Sequence, residues 1–214
     1  MYKLNFKIKE AVDVFDSWAK TGKDEGMKKN HFPAFQEIKK IIKDGHKGQK
    51  KNTLADVGCG NGWATDNLEK EKYISQAFGY DGSLNMIKKA QANYPDITFS
   101  QGDLNFWSPN QKFDIIYSME VIYYLKSPEK FIQECYKNWL NPGGMFIAGI
   151  DHYSENLESL SRPSDLRVEM KTKTTKQWKN ILEENQFSQC KTKYFNASRN
   201  WNGTLIMWGI KNAL

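Results

Sequence analysis

Three carboxylates carry the chemistry that can be read most directly from this chain. Asp56 sits in the apolar run Leu54-Ala55-Asp56-Val57, which leads into Gly58-Cys59-Gly60-Asn61-Gly62. Three alternating glycines permit a tight turn and let a ligand approach the backbone with no Cβ in the way. Asp81 stands in Phe78-Gly79-Tyr80-Asp81-Gly82-Ser83, about 20 residues beyond the last glycine, the interval at which a carboxylate meets the hydroxyls of a ribose. Asp103 follows in Ser100-Gln101-Gly102-Asp103-Leu104, at the end of a further apolar run, where it can accept from an adenine amino group or cap the structure after it. Two acids beside a pyrophosphate would repel it, so the set suits a cationic, phosphate-free adenosine derivative. A dinucleotide fingerprint is excluded because the position three after Gly60 is Trp63, too large for close helix-to-strand packing, and no Gly-Lys-Ser/Thr follows to make a P-loop.

The elements that must position these groups follow from hydrophobic spacing. Ala11, Val12, Val14, Phe15, Trp18 and Ala19 mark an amphipathic helix over Ile8–Lys20, and Thr21–Met27 reads as a loop or short irregular helix. Pro33 opens a second helix with the stripe Phe35, Ile38, Ile41 and Ile42, stopping near Gly45, and a polar connector spans Lys47–Thr53. Strands near Leu54–Val57, Ala77–Asp81, Ile97–Gln101, Asp114–Ser118 and Met145–Ile150 then alternate with helices near Trp63–Lys70, Ser83–Asn93 and Pro128–Leu140. Leu140-Asn141-Pro142-Gly143-Gly144 reads as a tight turn between helix and strand. Such alternation marks an α/β fold, an open and mostly parallel sheet with helices on both faces. After it come a polar stretch, His152–Thr174, a helix near Thr175–Asn185, and strands Cys190–Phe195 and Thr204–Ile210 that form an antiparallel closing hairpin. The expected organisation is one domain over 1–214: a helical lid at 1–50, a cofactor-binding core at 53–150, a lid or substrate insertion at 151–174, and a C-terminal helix and hairpin at 175–214.

The ordered segments Asp-x-Gly-x-Gly-x-Gly, Tyr-Asp-x-Ser-x-x-Met, Gly-Asp, Phe-Asp-x-Ile and Leu-x-Pro-Gly-Gly resemble those of the class I S-adenosylmethionine-dependent methyltransferases, over about Thr53 to Ile150. The resemblance implies a Rossmann-like, doubly wound sheet of seven strands ending in an antiparallel hairpin. It also implies S-adenosyl-L-methionine as cofactor, with S-adenosyl-L-homocysteine as product. On that resemblance Asp56, Gly58, Gly60 and Gly62 hold the methionine part, and Cys59 lies within the same loop as a small filler rather than a nucleophile. Asp81 takes the ribose hydroxyls, Gly82 and Met86 line the adenine, and Gly102, Asp103 and Leu104 contact its edge and face. Ser118, Met119 and Glu120 lie beside the sulfonium, and N-terminal helices of the family that fold over the cofactor bring Trp18 to it. Asp114 belongs to the Phe-Asp-x-Ile segment and is read as structural.

Methyl transfer from a sulfonium is an in-line displacement, so the chain's tasks are to align the acceptor, desolvate it and take up a proton. The candidates are Tyr123 and Tyr124, which either wall a site that favours a cationic amine or pack the next helix; Asp151; and His31. In an extended Asp151-His152-Tyr153, Asp151 and Tyr153 point to one side and His152 to the other, as an exposed loop histidine.

Composition bounds the remaining classes. The 214 residues are 39% hydrophobic, 26% charged and 14% aromatic, with net charge +6, as in a globular domain. No stretch has the ~18 apolar residues of a membrane span and Met1-Tyr2-Lys3-Leu4-Asn5-Phe6 has no apolar signal region, so a cytoplasmic location is expected. The 3 cysteines, Cys59, Cys135 and Cys190, have no metal-ligand spacing, and neither a metal nor a disulfide framework is expected. Of the 31 basic residues only Arg162, Arg167 and Arg199 are arginine, and the scattered lysines read as a solvated surface more than as a nucleic-acid footprint. The expected acceptor is therefore an N, O or S nucleophile of a small molecule. RNA or protein as acceptor and a non-catalytic S-adenosylmethionine-binding module are the rivals, and a monomer or a homodimer is expected.

Overall fold

A computed structural model describes residues 8–45, 52–199 and 201–213. Most of the polar connector at 47–53 and the opening residues 1–7 lie outside them. Two helices come first, α1 (Ala11–Thr21) and α2 (Glu25–Gly45). They are followed by β1 (Asn52–Val57), α3 (Trp63–Glu69), β2 (Ile74–Asp81), α4 (Leu84–Asn93), β3 (Thr98–Gln101) and β4 (Phe113–Met119). The chain continues through α5 (Pro128–Glu134), β5 (Leu140–Ile150), α6 (Arg162–Leu166), α7 (Thr175–Glu184), β6 (Ser188–Phe195) and β7 (Thr204–Ile210).

The seven strands lie in the order β3-β2-β1-β4-β5-β7-β6. The first five run parallel, and β7 is antiparallel to both β5 and β6. β1 lies between β2 and β4, so the order reverses at β1, and the crevice beyond the carboxyl ends of β1 and β4 is where such a sheet takes its ligand. The central strands are apolar on both faces because helices cover both. On β4 and β5, Ile115, Tyr117, Met145 and Ile147 face one core with Phe35, Ile38, Ile42 and Leu68, while Ile116, Phe146 and Ala148 face the other with Phe131, Trp139, Trp178 and Leu182. Successive strand residues point to opposite faces, and that period-2 alternation sends one apolar run into two cores.

The structure departs from the sequence reading at several boundaries. α2 starts at Glu25, eight residues before the proline that was expected to open it, and Pro33 lies inside the helix. The missing N–H costs one helical bond, but burial of Phe35, Ile38 and Ile42, all at 0% exposure, holds the helix together across it. The loop after α1 shrinks to a few residues because Gly22 adopts a left-handed φ of 74° and donates to Trp18 O, closing α1. The helix after Pro128 ends in a π-turn over Cys135–Trp139. The expected Pro-Gly-Gly turn is drawn into the start of β5, where Gly143 N donates to Lys211 O and Lys211 N donates to Gly144 O. The polar stretch after β5 holds a 3-10 turn at Leu157–Ser159 and α6. No helix among the described residues is long and apolar enough to cross a membrane.

Candidate active site

A cavity of about 720 Å³ opens beyond the carboxyl ends of β1, β2, β3, β4 and β5. Its floor at one end is the glycine loop. Gly58, Gly60 and Gly62 have φ of 81°, 54° and 84°, left-handed values that favour glycine. A Cβ on Gly58 would lie 2.1 Å from Val121 Cγ2 and one on Gly62 2.8 Å from Phe99 Cζ, so the loop is pressed against its neighbours. Over Gly60 the nearest atom is Met27 Cε at 3.6 Å, which leaves a cradle on the cavity side of the loop. Asp81 fixes this shape: its Oδ2 accepts from Gly60 N at 2.9 Å and its Oδ1 from Ser83 N at 2.8 Å. Burial pushes the Asp81 carboxyl up, and the two backbone N–H groups oppose that. Asp103 Oδ1 accepts from the backbone N and side-chain Nδ2 of Asn105, at 3.0 and 2.9 Å, which sets the turn after β3.

The N-terminal helices form the roof. Val12 of α1 covers Gly82, with Cγ2 2.7 Å from where a Cβ would stand. Asp16 accepts from Ser83 Oγ (2.9 Å), Asn85 N (3.0 Å) and Asn85 Nδ2 (2.7 Å), joining α1 to the start of α4. Asp24, fully buried, accepts from Asn61 Nδ2 at 2.7 Å and pairs with Lys89 at 2.8 Å, fastening the start of α2 to the glycine loop and to α4. Phe15 meets Trp18 and Tyr124 edge-on at 5.2 Å each, and these rings wall the middle of the cavity.

At the other end five titratable groups meet, Glu120, Tyr123, Arg162, Asp151 and His31. Glu120, just past β4, has a φ of 59°, a strained value for a non-glycine residue that turns its side chain under the roof. Its Oε2 accepts from Tyr123 OH at 2.9 Å and from Arg162 Nη1 at 3.3 Å. Asp151, just past β5, accepts from Thr204 Oγ1 at 2.7 Å, and its Oδ2 lies 3.6 Å from Arg162 Nη2 and 3.8 Å from His31 Nδ1. Burial, reinforced by Asp151, pushes Glu120 well above the ordinary carboxylate range. Burial lowers His31, with Asp151 opposing and Arg162 adding to that, which favours the neutral imidazole. The same burial, with Glu120 beside them, raises Tyr123 and Tyr124, which stay protonated.

Of the residues singled out from the sequence, Gly58, Gly60, Asp81, Gly82, Met86, Asp103 and Leu104 line one end of this cavity. Trp18, His31, Met119, Glu120, Tyr123, Tyr124 and Asp151 line the remainder. The other five stand behind the wall. Asp56, 1% exposed, accepts from Thr65 Oγ1 at 2.7 Å, and burial raises its carboxyl to about 7. Ser118 Oγ donates to Val57 O at 3.0 Å and ties β4 to β1. Cys59 is buried, and burial pushes its thiol well up, in keeping with a filler. Gly62 and Gly102 lie against Phe99 and Trp107. Tyr153 does not accompany Asp151 into the cavity: it is fully buried and donates to Gly203 O at 2.8 Å. His152 is not an exposed loop histidine: it is fully buried, its Nδ1 3.0 Å from Ser159 O and its Nε2 2.7 Å from Thr172 Oγ1. The residues missed from the sequence are Arg162, Trp201, Asn30 and the fastening acids Asp16 and Asp24. Arg162 left one signal, being one of few arginines and lying in the stretch read as an insertion.

Residues 55–148 match the family model described as a methyltransferase domain. Trans-aconitate 2-methyltransferase of Azoarcus sp. (strain BH72) is 30% identical over 111 residues, covering 51% of this chain and 44% of the relative, so the match spans less than half the length of that enzyme. Among solved structures, the methyltransferase in complex with the Haloferax volcanii Trm112 methyltransferase activator superposes with a TM-score of 0.80 at 24% identity, over 96% of this chain and 100% of that one. An S-adenosylmethionine-dependent methyltransferase from Thermotoga maritima gives a TM-score of 0.69 at 16% identity, over 94% and 99%. The fold is similar to that of these solved methyltransferases, and the core of the chain is similar to a methyltransferase domain, as the class I S-adenosylmethionine-dependent methyltransferases have it. The cofactor of that class is S-adenosyl-L-methionine, and the open cradle over Gly60 beside Asp81 fits it.

Proposed function

We propose that the chain transfers a methyl group from S-adenosyl-L-methionine to a nucleophile on a small molecule. The observation that carries the reading is the roofed cavity itself: a cradle of left-handed glycines at one end, a half-buried histidine beside an acid at the other, and helices fastened over both. In this reading Gly58, Gly60 and Asp81 hold the methionine and ribose parts, and Gly82, Met86, Asp103 and Leu104 enclose the adenine. Asp56, Cys59, Gly62, Gly102 and Ser118 keep that wall in shape from behind, and Met119, Glu120 and Trp18 border the reacting centre. His31 takes the acceptor's proton, Asp151 steadies the imidazolium, and Tyr123 and Tyr124 position the acceptor. The division of 1–214 into cover, core, insertion and closing hairpin belongs to the same proposal.

A small acceptor is supported by the helices fastened over the cavity and by the acceptor, trans-aconitate, named for the relative at 30% identity. The match covers 44% of that relative's length, so its own acceptor does not carry over. Incubation with methyl-labelled S-adenosylmethionine and a panel of amines, thiols, phenols and carboxylates tests the reading. Label transfer to a panel member is the expected result. Tight S-adenosylhomocysteine binding with transfer only to bulk RNA or protein, weakening steeply with salt, would replace the acceptor class, and absence of S-adenosylhomocysteine binding would overturn the reading as a whole.

A further inference from the structure

The acceptor end of the cavity sets a charge requirement. Two carboxylates face one guanidinium there, with Glu120 Oε2 3.3 Å and Asp151 Oδ2 3.6 Å from the Arg162 nitrogens. Arg162 is further held over the Trp201 ring at 5.6 Å. The other cation lining the cavity among the described residues, Lys23, sits 4.4 Å over Trp18 at the turn between α1 and α2. The acids are therefore in excess at this end, and the wall beside them is aromatic.

Resting on the methyltransferase reading above, we propose that the acceptor is a small amine, bound as its ammonium ion between the Glu120 and Asp151 carboxylates and the Phe15, Trp18 and Tyr124 rings. An ammonium satisfies both features at once, since it balances the second carboxylate and is attracted to aromatic faces. A carboxylate-bearing acceptor would have to displace Arg162 from two partners and then lie against both acids. Glu120 is faced by Asp151, His31, Tyr123 and Arg162, and burial, with Asp151 beside it, pushes its carboxyl above the ordinary range, so a cation placed there favours its ionised form. In the transfer step the ammonium gives one N–H proton to His31, and the freed nitrogen lone pair forms the N–C bond to the donor methyl. The S–C bonding pair returns to sulfur as the donor becomes a neutral thioether, and the imidazolium stands beside Asp151.

The test is calorimetric titration of the protein saturated with S-adenosylhomocysteine. The probes are 2-phenylethylamine, 2-phenylethanol and 3-phenylpropanoate, with a wider panel of aryl and alkyl amines each matched to its alcohol and its carboxylate. Amines are expected to bind about tenfold or more tighter than their alcohols, a difference of ~1.4 kcal/mol. D151N should lower amine affinity while S-adenosylhomocysteine affinity stays unchanged. Tighter binding of the carboxylates, equal binding across the matched sets, binding of no amine, or displacement of the amine by micromolar Zn²⁺ at the His31, Glu120 and Asp151 cluster would each overturn the proposal. Saturation with S-adenosylhomocysteine is measured before any probe is added, so its failure sinks the methyltransferase reading, whereas success there followed by a wrong charge preference sinks only the amine.

Discussion

The two ends of the cavity answer their carboxylates in different ways. At the cofactor end Asp81 is met by backbone N–H groups of the loops that follow β1 and β2, close neighbours in the sheet. At the acceptor end Glu120 and Asp151 are met by the side chains of Tyr123, Arg162, His31 and Thr204, delivered by separate parts of the chain. A backbone-built end tolerates a wide choice of side chains while keeping its ligand, whereas a side-chain-built end changes its ligand with each substitution. The domain match follows this division: it covers 55–148 and stops before Asp151, Arg162 and Trp201, with His31 before its start.

Substitutions at the two ends should therefore fail differently. The largest effect is expected from Gly58→Ala, where a Cβ would meet Val121 at 2.1 Å on a backbone with φ of 81°. We expect a loss of about 1–3 kcal/mol of stability by chemical denaturation and more than ~100-fold weaker S-adenosylhomocysteine binding by calorimetry. His31→Gln, by contrast, should lower kcat by about 100-fold and leave S-adenosylhomocysteine affinity intact, and equal losses in both would place the histidine in cofactor binding instead.

Asp56 separates support from contact. Its carboxyl is raised in the fold to about 7, so the folded state holds a proton that the unfolded state releases near its ordinary value of 3.8. The contribution to stability is therefore full at low pH and falls as pH rises from about 4 to 7. Asp56→Asn keeps an acceptor for Thr65 and should remove that fall, gaining on the wild type by on the order of 1–2 kcal/mol between pH 5 and pH 8 in urea midpoints. A pH-independent difference between the two proteins would show that Asp56 is ionised in the fold. The smallest effect is expected from Asp16→Ala, which frees α1 from Ser83 and Asn85 and should weaken S-adenosylhomocysteine by several-fold, about 0.5–1.5 kcal/mol, without changing the ratio of amine to alcohol binding.

The same division explains what was legible in the sequence. The glycine loop, Asp81 and Asp103 lie at the ends of apolar runs, and strand ends converge on the crevice in any sheet of this order, so their meeting follows from local pattern and topology alone. Glu120 and Asp151 were legible as strand-end residues for that reason. Arg162 and Trp201 sit in segments without periodicity, and only the folded chain brings them to Glu120, Asp151 and each other. Side-chain direction was illegible where tertiary partners override extended alternation, as at Tyr153, turned away by its bond to Gly203, and His152, taken up by Ser159 and Thr172. Pro33 was misread because local propensity places proline at a helix start, while the burial of three residues beyond it supports a helix on both sides.

That proline has a consequence for motion. α2 is two things joined at Pro33: Met27, Asn30 and His31 on one side line the cavity, and Phe35, Ile38 and Ile42 on the other are packed in the core. Pro33 supplies no amide hydrogen to the turn before it, so the two halves are linked by one helical bond fewer than an unbroken helix would have. Amide hydrogen exchange should follow that seam, fast from Gly26 to Phe32 and slow from Ile38 onward, with ligand slowing the first half alone. The outer half of α2 thus owes its place over the cavity to the bonds of Asp24 with Asn61 and Lys89, and the inner half owes its place to the core.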